Sequence, residues 1–281
     1  MLPYPDPFLE VRTKLLNDEY GTLALCAGYQ GKEWRAGPFA DHLLQWLPYA
    51  ALNQESQNTF AMHNWVEMIR MASAHVYKTR KTQSRGEIGE LILHIACVTE
   101  FQTTPVLCKL ILKTSSNDTV KGFDGVHIRL LEDGDFELWL GESKFYKNPR
   151  RAITEAVDSV RDHIAPSFLD TEKAMLVGHI AENIPRRDEL IRLFRSSTSS
   201  DELLRKAVFP ILIAYNSSVA ASFDEVSAEL VGHLNDEVEE LRQKFGSSLA
   251  GINLRFQLIF LPMNDKARLV DSFDRRLEAF V

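Results

Sequence analysis

The sequence predicts an α/β protein in which helices flank a mixed β-sheet. The first observation is a helix-like segment in the middle of the chain, followed by three strand-like runs and a second helix-like segment. The second is a pair of apolar strand-like runs further along, and the third is a final strand-like run followed by a helix. The composition agrees with a globular fold, because 45% of the 281 residues are hydrophobic and 25% are charged.

Residues 1–80 contain few strand signals and predict a mainly helical region. Residues 39–52 place apolar side chains at helical spacing, and Pro48 is expected to interrupt that helix. A second helix is predicted for residues 59–77. We therefore divide the chain into the region 1–80 and a second domain, residues 81–281, which contains most of the predicted strands.

The middle of the chain predicts the order helix, strand, hairpin and helix. The turn Glu-Asp-Gly-Asp at residues 132–135 separates two runs of strand-forming residues, which is typical of a β-hairpin. The stretch Ser-Ser-Asn-Asp at residues 115–118 is expected to break the strand before the hairpin. The predicted elements are a helix over 85–101, strands over 103–112, 122–131 and 136–146, and a helix over 151–163.

The last part of the chain predicts three more strands and two helices. The runs 175–180 and 209–215 are apolar and predict two further strands. Residues 224–245 predict a long acidic helix, and a strand over 254–262 precedes a helix that reaches Phe280. Helices are thus available to cover both faces of the sheet.

The net charge of −7 and the lack of several motifs argue against some classes of protein. A protein that coats nucleic acid without sequence preference usually has a basic balance, so any nucleic-acid contact must be local. We expect neither a transmembrane helix nor a secretory signal. The cysteines Cys26, Cys97 and Cys108 are expected to be reduced in a cytoplasmic protein. The sequence has no Gly-rich phosphate loop and no Gly-x-Ser-x-Gly motif, which argues against an ATPase and a serine hydrolase.

The charges are unevenly distributed along the chain. Residues 68–85 contain five basic side chains and no acidic one, whereas residues 223–240 contain seven acidic side chains and no Lys or Arg. The simplest interpretation of such runs is a pair of solvated helix faces. The other interpretation is a local cationic surface, with an acidic segment that shields it or meets a basic partner.

The predicted hairpin carries the most specific chemical signal in the sequence. One strand opens at Gly-Phe-Asp124-Gly, and the other ends at Gly-Glu142-Ser-Lys144. Because side chains alternate along a strand, Glu142 and Lys144 share a face with the apolar residues that precede them. Antiparallel pairing places the start of one strand beside the end of the other, so we expect Asp124 near Glu142. Two carboxylates among buried apolar residues repel each other unless a cation joins them.

A divalent cation would suit this pair of carboxylates, because it prefers oxygen ligands and keeps water positions open for a phosphate. Lys144 can then orient a water molecule or offset charge on the phosphoryl oxygens. Glu87 and Glu90 lie on one face of the predicted helix, so either can supply a third carboxylate. The alternative is a solvated hairpin in which Glu and Lys alternate by chance, since Glu-x-Lys alone is a common pattern.

The motifs RGEIGE, GFDGVH and ELWLGESKFY, in this order, resemble the core of the PD-(D/E)XK nuclease superfamily over roughly residues 85–165. The resemblance implies a restriction-endonuclease-like fold, with a fourth core strand at 174–180 or 209–215. The chain is closer still to the HamA family, the nuclease subunits of the Hachiman antiphage system, and that likeness covers most of its length. Phe123 precedes Asp124 where the superfamily pattern often has proline, which leaves the carboxylate in place.

The resemblance implies a Mg²⁺-dependent deoxyribonuclease, with Mn²⁺ as the alternative metal. Glu90 is favoured over Glu87, because Gly86 lies four residues before Glu90 as it often does in the superfamily. The Ser143 carbonyl is a further candidate ligand. The implied catalytic residues, of which the three acids are also the metal ligands, are Asp124, Glu142, Lys144 and Glu90.

The resemblance also implies two partners, DNA and a HamB-like helicase, and a role in phage defence. We expect the helicase to regulate the nuclease, because unrestrained cleavage would harm the host, and we expect no membrane partner. We expect residues 1–80 to dock against the helicase. Two other functions stay open: a noncatalytic nucleic-acid-binding or partner-binding module with a nuclease-like fold, and a DNA repair or junction nuclease. The basic residues expected to form a nucleic-acid-binding rim are Lys147, Arg150, Arg151, Lys81 and Arg85.

Overall fold

The architecture is a mixed β-sheet with helices on both faces. The computed structural model describes residues 3–15, 20–77, 85–112 and 122–281. The strands are β1 (Glu10–Leu15), β2 (Tyr20–Cys26), β3 (Tyr29–Gln30), β4 (Glu33–Trp34), β5 (Thr104–Cys108), β6 (Gly125–Leu130), β7 (Phe136–Phe145), β8 (Ala207–Asn216) and β9 (Arg255–Met263). The helices are α1 (Ala36–Ala51), α2 (Gln54–Asn58), α3 (Trp65–Tyr77), α4 (Gly86–Phe101), α5 (Pro149–His163), α6 (Pro166–Val177), α7 (Arg187–Leu193), α8 (Ser200–Lys206), α9 (Ser218–Ser222), α10 (Ala228–Ser248) and α11 (Lys266–Glu278), with a 3-10 helix at Lys109–Leu112.

Seven of the strands form one sheet in the order β1-β2-β9-β8-β7-β6-β5, and β3 pairs with β4 separately. The pairs β2–β9, β9–β8 and β8–β7 are parallel, whereas β1–β2, β7–β6 and β6–β5 are antiparallel. The expected mixed α/β class is therefore confirmed. The expected hairpin is β6–β7, in which Gly125 pairs with Gly141.

The alternation of side chains along β7 divides the core into two layers. Trp139 and Phe145 pack on one face of the sheet with buried residues of α1 and α4. Leu138 and Leu140 pack on the other face with buried residues of α5 and α10. The central strand β8 is buried at every position except its last, because helices cover both of its faces.

The structure differs from the sequence prediction near the amino terminus, where β1 and β2 join the sheet. Strand β2 runs parallel to β9, so residues on both sides of position 80 share one sheet. Leu23, Ala24 and Leu25 are all buried, and such an uninterrupted apolar run lacks the alternation that identifies a half-buried strand. The helices α1 and α3 were expected, although α3 begins only at Trp65.

Pro48 does not interrupt α1, contrary to the sequence prediction. It lies inside the helix, and Phe39, Leu43 and Trp46 of the same helix are fully buried. A proline in a helix interior costs about 3 kcal/mol, and burial of one large apolar side chain contributes about 1.5–3 kcal/mol. Burial of several such side chains therefore outweighs the cost of the proline.

The segment 175–180 is not a strand, which corrects a second expectation. Helix α6 extends to Val177, with Leu169 and Leu176 buried at a spacing typical of one helix face. The fourth strand of the predicted core is therefore β8, the other of the two expected positions. Among the described residues, no helix is both long enough and apolar enough to cross a membrane.

The strand expected over 103–112 is shorter than predicted. Strand β5 ends at Cys108, and the chain continues into the 3-10 helix. The backbone N–H of Lys109 donates to the Asp124 carbonyl oxygen at 3.1 Å, so this turn lies against the start of the hairpin. The break expected at residues 115–118 lies outside the described residues.

Candidate active site at the end of the hairpin

The β6–β7 hairpin brings Asp124 beside Glu142. The last residue pair of the hairpin is Gly125 and Gly141, and the Asp124 N–H donates to the Gly141 carbonyl at 2.9 Å. Asp124 therefore lies next to Glu142, the residue that follows Gly141, and both side chains are buried, with exposed fractions of 7% and 6%. The sequence predicted this proximity from strand parity and antiparallel pairing.

Two glycines allow helix α4 to approach β7 closely. A Cβ atom on Gly141 would lie 2.8 Å from Leu93 Cδ2, and a Cβ atom on Gly89 would lie 3.0 Å from Phe145 Cβ. Both distances are shorter than normal carbon–carbon contacts. Glu90 follows Gly89 in helix α4, so the close packing of Gly89 against Phe145 brings Glu90 near the end of β7.

Hydrogen bonds hold both oxygens of the Asp124 carboxylate. Oδ2 accepts from the Ser143 backbone N–H at 2.8 Å and from Ser143 Oγ at 2.7 Å. Oδ1 accepts from Lys109 Nζ at 3.1 Å, and the same ammonium group donates to the Gly122 carbonyl at 3.2 Å. The carboxylate is thus oriented by the backbone of β7 and by a lysine that the sequence analysis did not identify.

The surroundings of Glu142 strongly perturb its ionisation. Burial, followed by the charge of Asp124, raises the pKa of Glu142 to about 7. Lys144 opposes this shift, because its ammonium group lies 2.8 Å from Glu142 Oε1. Lys144 also donates to Ser159 Oγ on α5 at 2.9 Å, so its position is defined from two sides.

The helix α4 acids differ in burial. Glu90 has an exposed fraction of 8%, whereas Glu87, nearer the start of the helix, is half-buried. Burial lowers the pKa of Lys109, but the neighbouring carboxylates outweigh burial and the net shift is upward. The carboxylates whose charges raise it are Asp124, Glu90 and Glu142. The negative charge of Glu90 therefore acts on the same ammonium group, that of Lys109, as the charges of Asp124 and Glu142.

Two further side chains near the hairpin were missed by the sequence analysis. His163, at the end of α5, has Nδ1 3.7 Å from Glu142 Oε2, and burial lowers its pKa to about 4, so it is neutral. Glu172 on α6 accepts from the Phe123 N–H at 3.4 Å, and burial raises its pKa to about 6. No local pattern distinguishes these two residues from ordinary helix positions.

The basic rim is smaller than predicted. Lys147, Arg150 and Arg151 are exposed, as a nucleic-acid contact requires. Arg85, however, has an exposed fraction of only 2%, and its Nε lies 2.8 Å from Asp274 Oδ1. A buried ion pair cannot contact a phosphate backbone, so Arg85 is removed from the rim. Lys81 lies outside the described residues.

Two of the exposed rim residues, Arg150 and Arg151, already have acidic neighbours. Arg151 lies 2.7 Å from Glu155, and its guanidinium group is 5.7 Å from the centre of the Tyr146 ring. Arg150 forms an ion pair with Glu240 of the acidic helix α10. These are surface ion pairs, which contribute little to stability.

The donor chemistry of the site suits a hard divalent cation. Mg²⁺ is commonly held by one or two carboxylates while it keeps several water ligands, and Asp124 and Glu142 provide two. The raised pKa of Glu142 shows that the present surroundings do not fully compensate its negative charge. Within the described ranges, no group of three or more His, Cys, Asp or Glu side chains is arranged to hold a metal ion. The suitability of the site for a divalent cation therefore rests on two carboxylates, those of Asp124 and Glu142, and not on a group of three ligands.

The fold and the site together define the class of the protein. A mixed seven-stranded sheet between helices, with an antiparallel hairpin that carries Asp124, Glu142 and Lys144 at its end, is a nuclease-like α/β core. The sequence model of the HamA family matches residues 3–277 of the 281-residue chain. The chain belongs to the HamA family and is thus a protein of the Hachiman antiphage defence system. Among curated proteins none matches this chain.

Proposed function

We propose that this chain is a metal-dependent deoxyribonuclease that acts with a helicase partner in defence against phage. The observation that carries the proposal is the pair of buried carboxylates Asp124 and Glu142, which interact electrostatically, with the Lys144 ammonium 2.8 Å from Glu142. Two negative charges buried close together destabilise the folded protein. Carboxyl groups whose pKa is perturbed in this way concentrate at functional sites. Membership of a defence family supports an activity directed at nucleic acid.

Asp124 and Glu142 would hold the divalent cation, Mg²⁺ or Mn²⁺, with Glu90 as the additional acid. When bound, the cation would supply Lewis-acid polarisation of the scissile phosphate. Asp124 is suited to this role because Ser143 orients it through two hydrogen bonds, at 2.8 and 2.7 Å. Glu142 is suited because a cation would offset the two effects that raise its pKa to about 7, which are burial and the charge of Asp124.

Lys144 would position the attacking water and offset negative charge that develops on the phosphate. Its ammonium group is held by Glu142 at 2.8 Å and by Ser159 at 2.9 Å, so it needs little reorganisation. A donor that is fixed in advance is more effective than one that must be ordered during the reaction. In the reaction, water attacks phosphorus, the bond from phosphorus to the leaving oxygen breaks, and that oxygen gains a proton.

DNA would approach the site over the exposed residues Lys147, Arg150 and Arg151. The net charge of the chain is −7, so contact is confined to this patch and its affinity falls with salt. Glu240 pairs with Arg150 and competes with phosphate for it. We infer that the helicase partner restrains the nuclease until damaged or invading DNA is engaged, because unrestrained cleavage would harm the host.

The activity is tested with the purified chain and its helicase partner on linear, nicked and circular DNA, with and without Mg²⁺ and ATP. We expect cleavage that requires Mg²⁺ and is abolished by Lys144→Ala. Lys206→Ala is the matched control, since Lys206 forms an ion pair with Asp135 in the turn of the hairpin, at the opposite end from Asp124 and Glu142. If Lys144→Ala stays folded, keeps phage protection and binds DNA normally, the noncatalytic binding module is the correct function instead.

The partner's role is tested at matched protein concentrations. Cleavage by the chain alone is compared with cleavage by the complex, and an unchanged rate would contradict the regulatory proposal. Deletion of residues 1–80 would remove β1 and β2 from the sheet, so surface substitutions in α2 are the cleaner test of docking. A branched-DNA preference without phage protection would favour the repair or junction nuclease.

A further inference from the structure

Lys109 lies at the centre of the candidate site although it belongs to none of the motifs in the sequence. It is the first residue of the 3-10 helix that follows β5. Its side chain donates to Asp124 Oδ1 and to the Gly122 carbonyl, and its backbone N–H donates to the Asp124 carbonyl. The side chain has an exposed fraction of 17%, so the ammonium group is largely withdrawn from water.

The Lys109 ammonium occupies a position that conflicts with a metal on the same oxygen. Asp124 Oδ2 is already used by Ser143, which leaves Oδ1 as the oxygen more open to a cation. Lys109 Nζ lies 3.1 Å from that oxygen. A divalent cation bonded to Oδ1 would therefore lie close to a positive charge in surroundings of low polarity, where like charges repel strongly.

The charge of Lys109 also explains how the metal-free site tolerates its acids. Uncompensated buried carboxylates cost several kcal/mol, and an ammonium group with good hydrogen bonds offsets much of that cost. Lys109 is electrostatically coupled to Glu90, Asp124 and Glu142 together. The single lysine Lys109 thus neutralises part of a site whose donor chemistry suits a divalent cation.

We propose that Lys109 is an internal counter-ion that holds Asp124 in the metal-free protein and must leave Oδ1 for a divalent cation to bind. The inference rests on the proposed function, because it assumes that Asp124 is a metal ligand. Lys109 and the metal then compete for one carboxylate oxygen. Lys109 consequently weakens metal affinity while it stabilises the folded protein in the absence of metal.

The first test measures Mn²⁺ and Mg²⁺ affinity of the full chain by titration calorimetry. We expect Lys109→Met to bind metal about tenfold more tightly, the factor that corresponds to one hydrogen bond to a charged group. Lys109→Arg keeps the charge and should remain close to the natural protein. Lys173→Met is the matched control, since Lys173 also donates to one aspartate and one backbone carbonyl, those of Asp170 and Thr198.

The second test uses the unaltered chain, so it does not depend on the folding of any variant. Reductive methylation of lysines, read by mass spectrometry, is compared with and without saturating Mn²⁺. Release from Asp124 and Gly122 should make Lys109 several-fold more reactive when metal is bound, whereas Lys173 should not change. Equal or lower reactivity of Lys109 in the metal-bound protein would overturn the proposal.

Two variants distinguish a failure of the proposed metal centre from a failure of the proposed counter-ion role of Lys109. Asp124→Asn should abolish metal binding; if it binds metal like the natural protein, the proposed metal centre fails. If Asp124→Asn abolishes binding but Lys109→Met leaves the affinity unchanged or weaker, the metal centre stands and the counter-ion role of Lys109 fails.

Discussion

Replacement of Glu142 by glutamine should change the pH dependence of stability in a defined direction. The folded protein raises the pKa of Glu142 from 4.5 to about 7, so it holds this proton more tightly than the unfolded chain does. Ionisation of Glu142 therefore costs folding free energy. The cost is absent below about pH 4.5 and complete above about pH 7.

The expected change in the free energy of unfolding follows from the size of the pKa shift of Glu142. A difference of about 2.5 pKa units between 4.5 and about 7 corresponds to about 3 kcal/mol. Glu142→Gln cannot ionise, so it avoids this cost. The stability of the variant relative to the natural protein should thus increase by about 3 kcal/mol between pH 4.5 and pH 8.

The assay is urea unfolding of both proteins in EDTA across this pH range. Glu155→Gln is an informative control, because hydrogen bonds from Tyr146 and Arg151 lower the pKa of Glu155. That carboxylate stabilises the fold above about pH 4.5 and loses its contribution only as the pH falls below that value, so the effect of Glu155→Gln should stay nearly constant across this pH range. A stability difference between Glu142→Gln and the natural protein that is the same at every pH would refute the reasoning.

Two other substitutions test the packing and the burial described above. Gly141→Ala places a methyl group about 2.8 Å from Leu93 Cδ2 and should destabilise the protein by about 1–3 kcal/mol in urea unfolding, with a reduced rate of DNA cleavage; full stability would show that α4 is free to move. Arg85→Met leaves Asp274 without its buried partner and should cost about 3 kcal/mol while DNA affinity, measured by fluorescence anisotropy, stays the same. Weaker DNA binding without a loss of stability would return Arg85 to the rim.

The parts of the fold that depend on local pattern were predictable from the sequence. The turn at residues 132–135 and the alternation on either side of it predict β6 and β7, and the structure contains this hairpin. Parity within the two strands, together with their antiparallel pairing, brings Asp124 and Glu142 together, because a strand projects every second side chain to the same face. Helix α4 was also predicted from the sequence, over residues 85–101.

The parts that depend on distant contacts were not predictable. Strand β2 is buried by the pairing with β9, near the other end of the chain, and its apolar run has no alternation to identify it. The segment 175–180 has the composition of a buried strand but belongs mostly to α6. Composition alone cannot separate a short buried strand from a buried helix segment.

Lys109 and Arg85 show the same limit within the candidate site. A single lysine after the apolar run of β5 is an ordinary feature in sequence, and its importance comes from the pairing of β5 with β6. Arg85 belongs to a basic stretch that favoured a surface role, yet Asp274 on α11 pairs with it in the interior. Charge patterns in the sequence indicate sign and density, but not which charges meet across the fold.

The most direct test of the central claim is the position of a bound metal. Crystals of the full chain grown with Mn²⁺ give an anomalous scattering peak at each ion. We predict a peak bonded to carboxylate oxygens of both Asp124 and Glu142, with Lys109 no longer on Asp124 Oδ1. A Mn²⁺ ion bound elsewhere, or crystals that take up no ion at the hairpin at saturating Mn²⁺, would contradict the account.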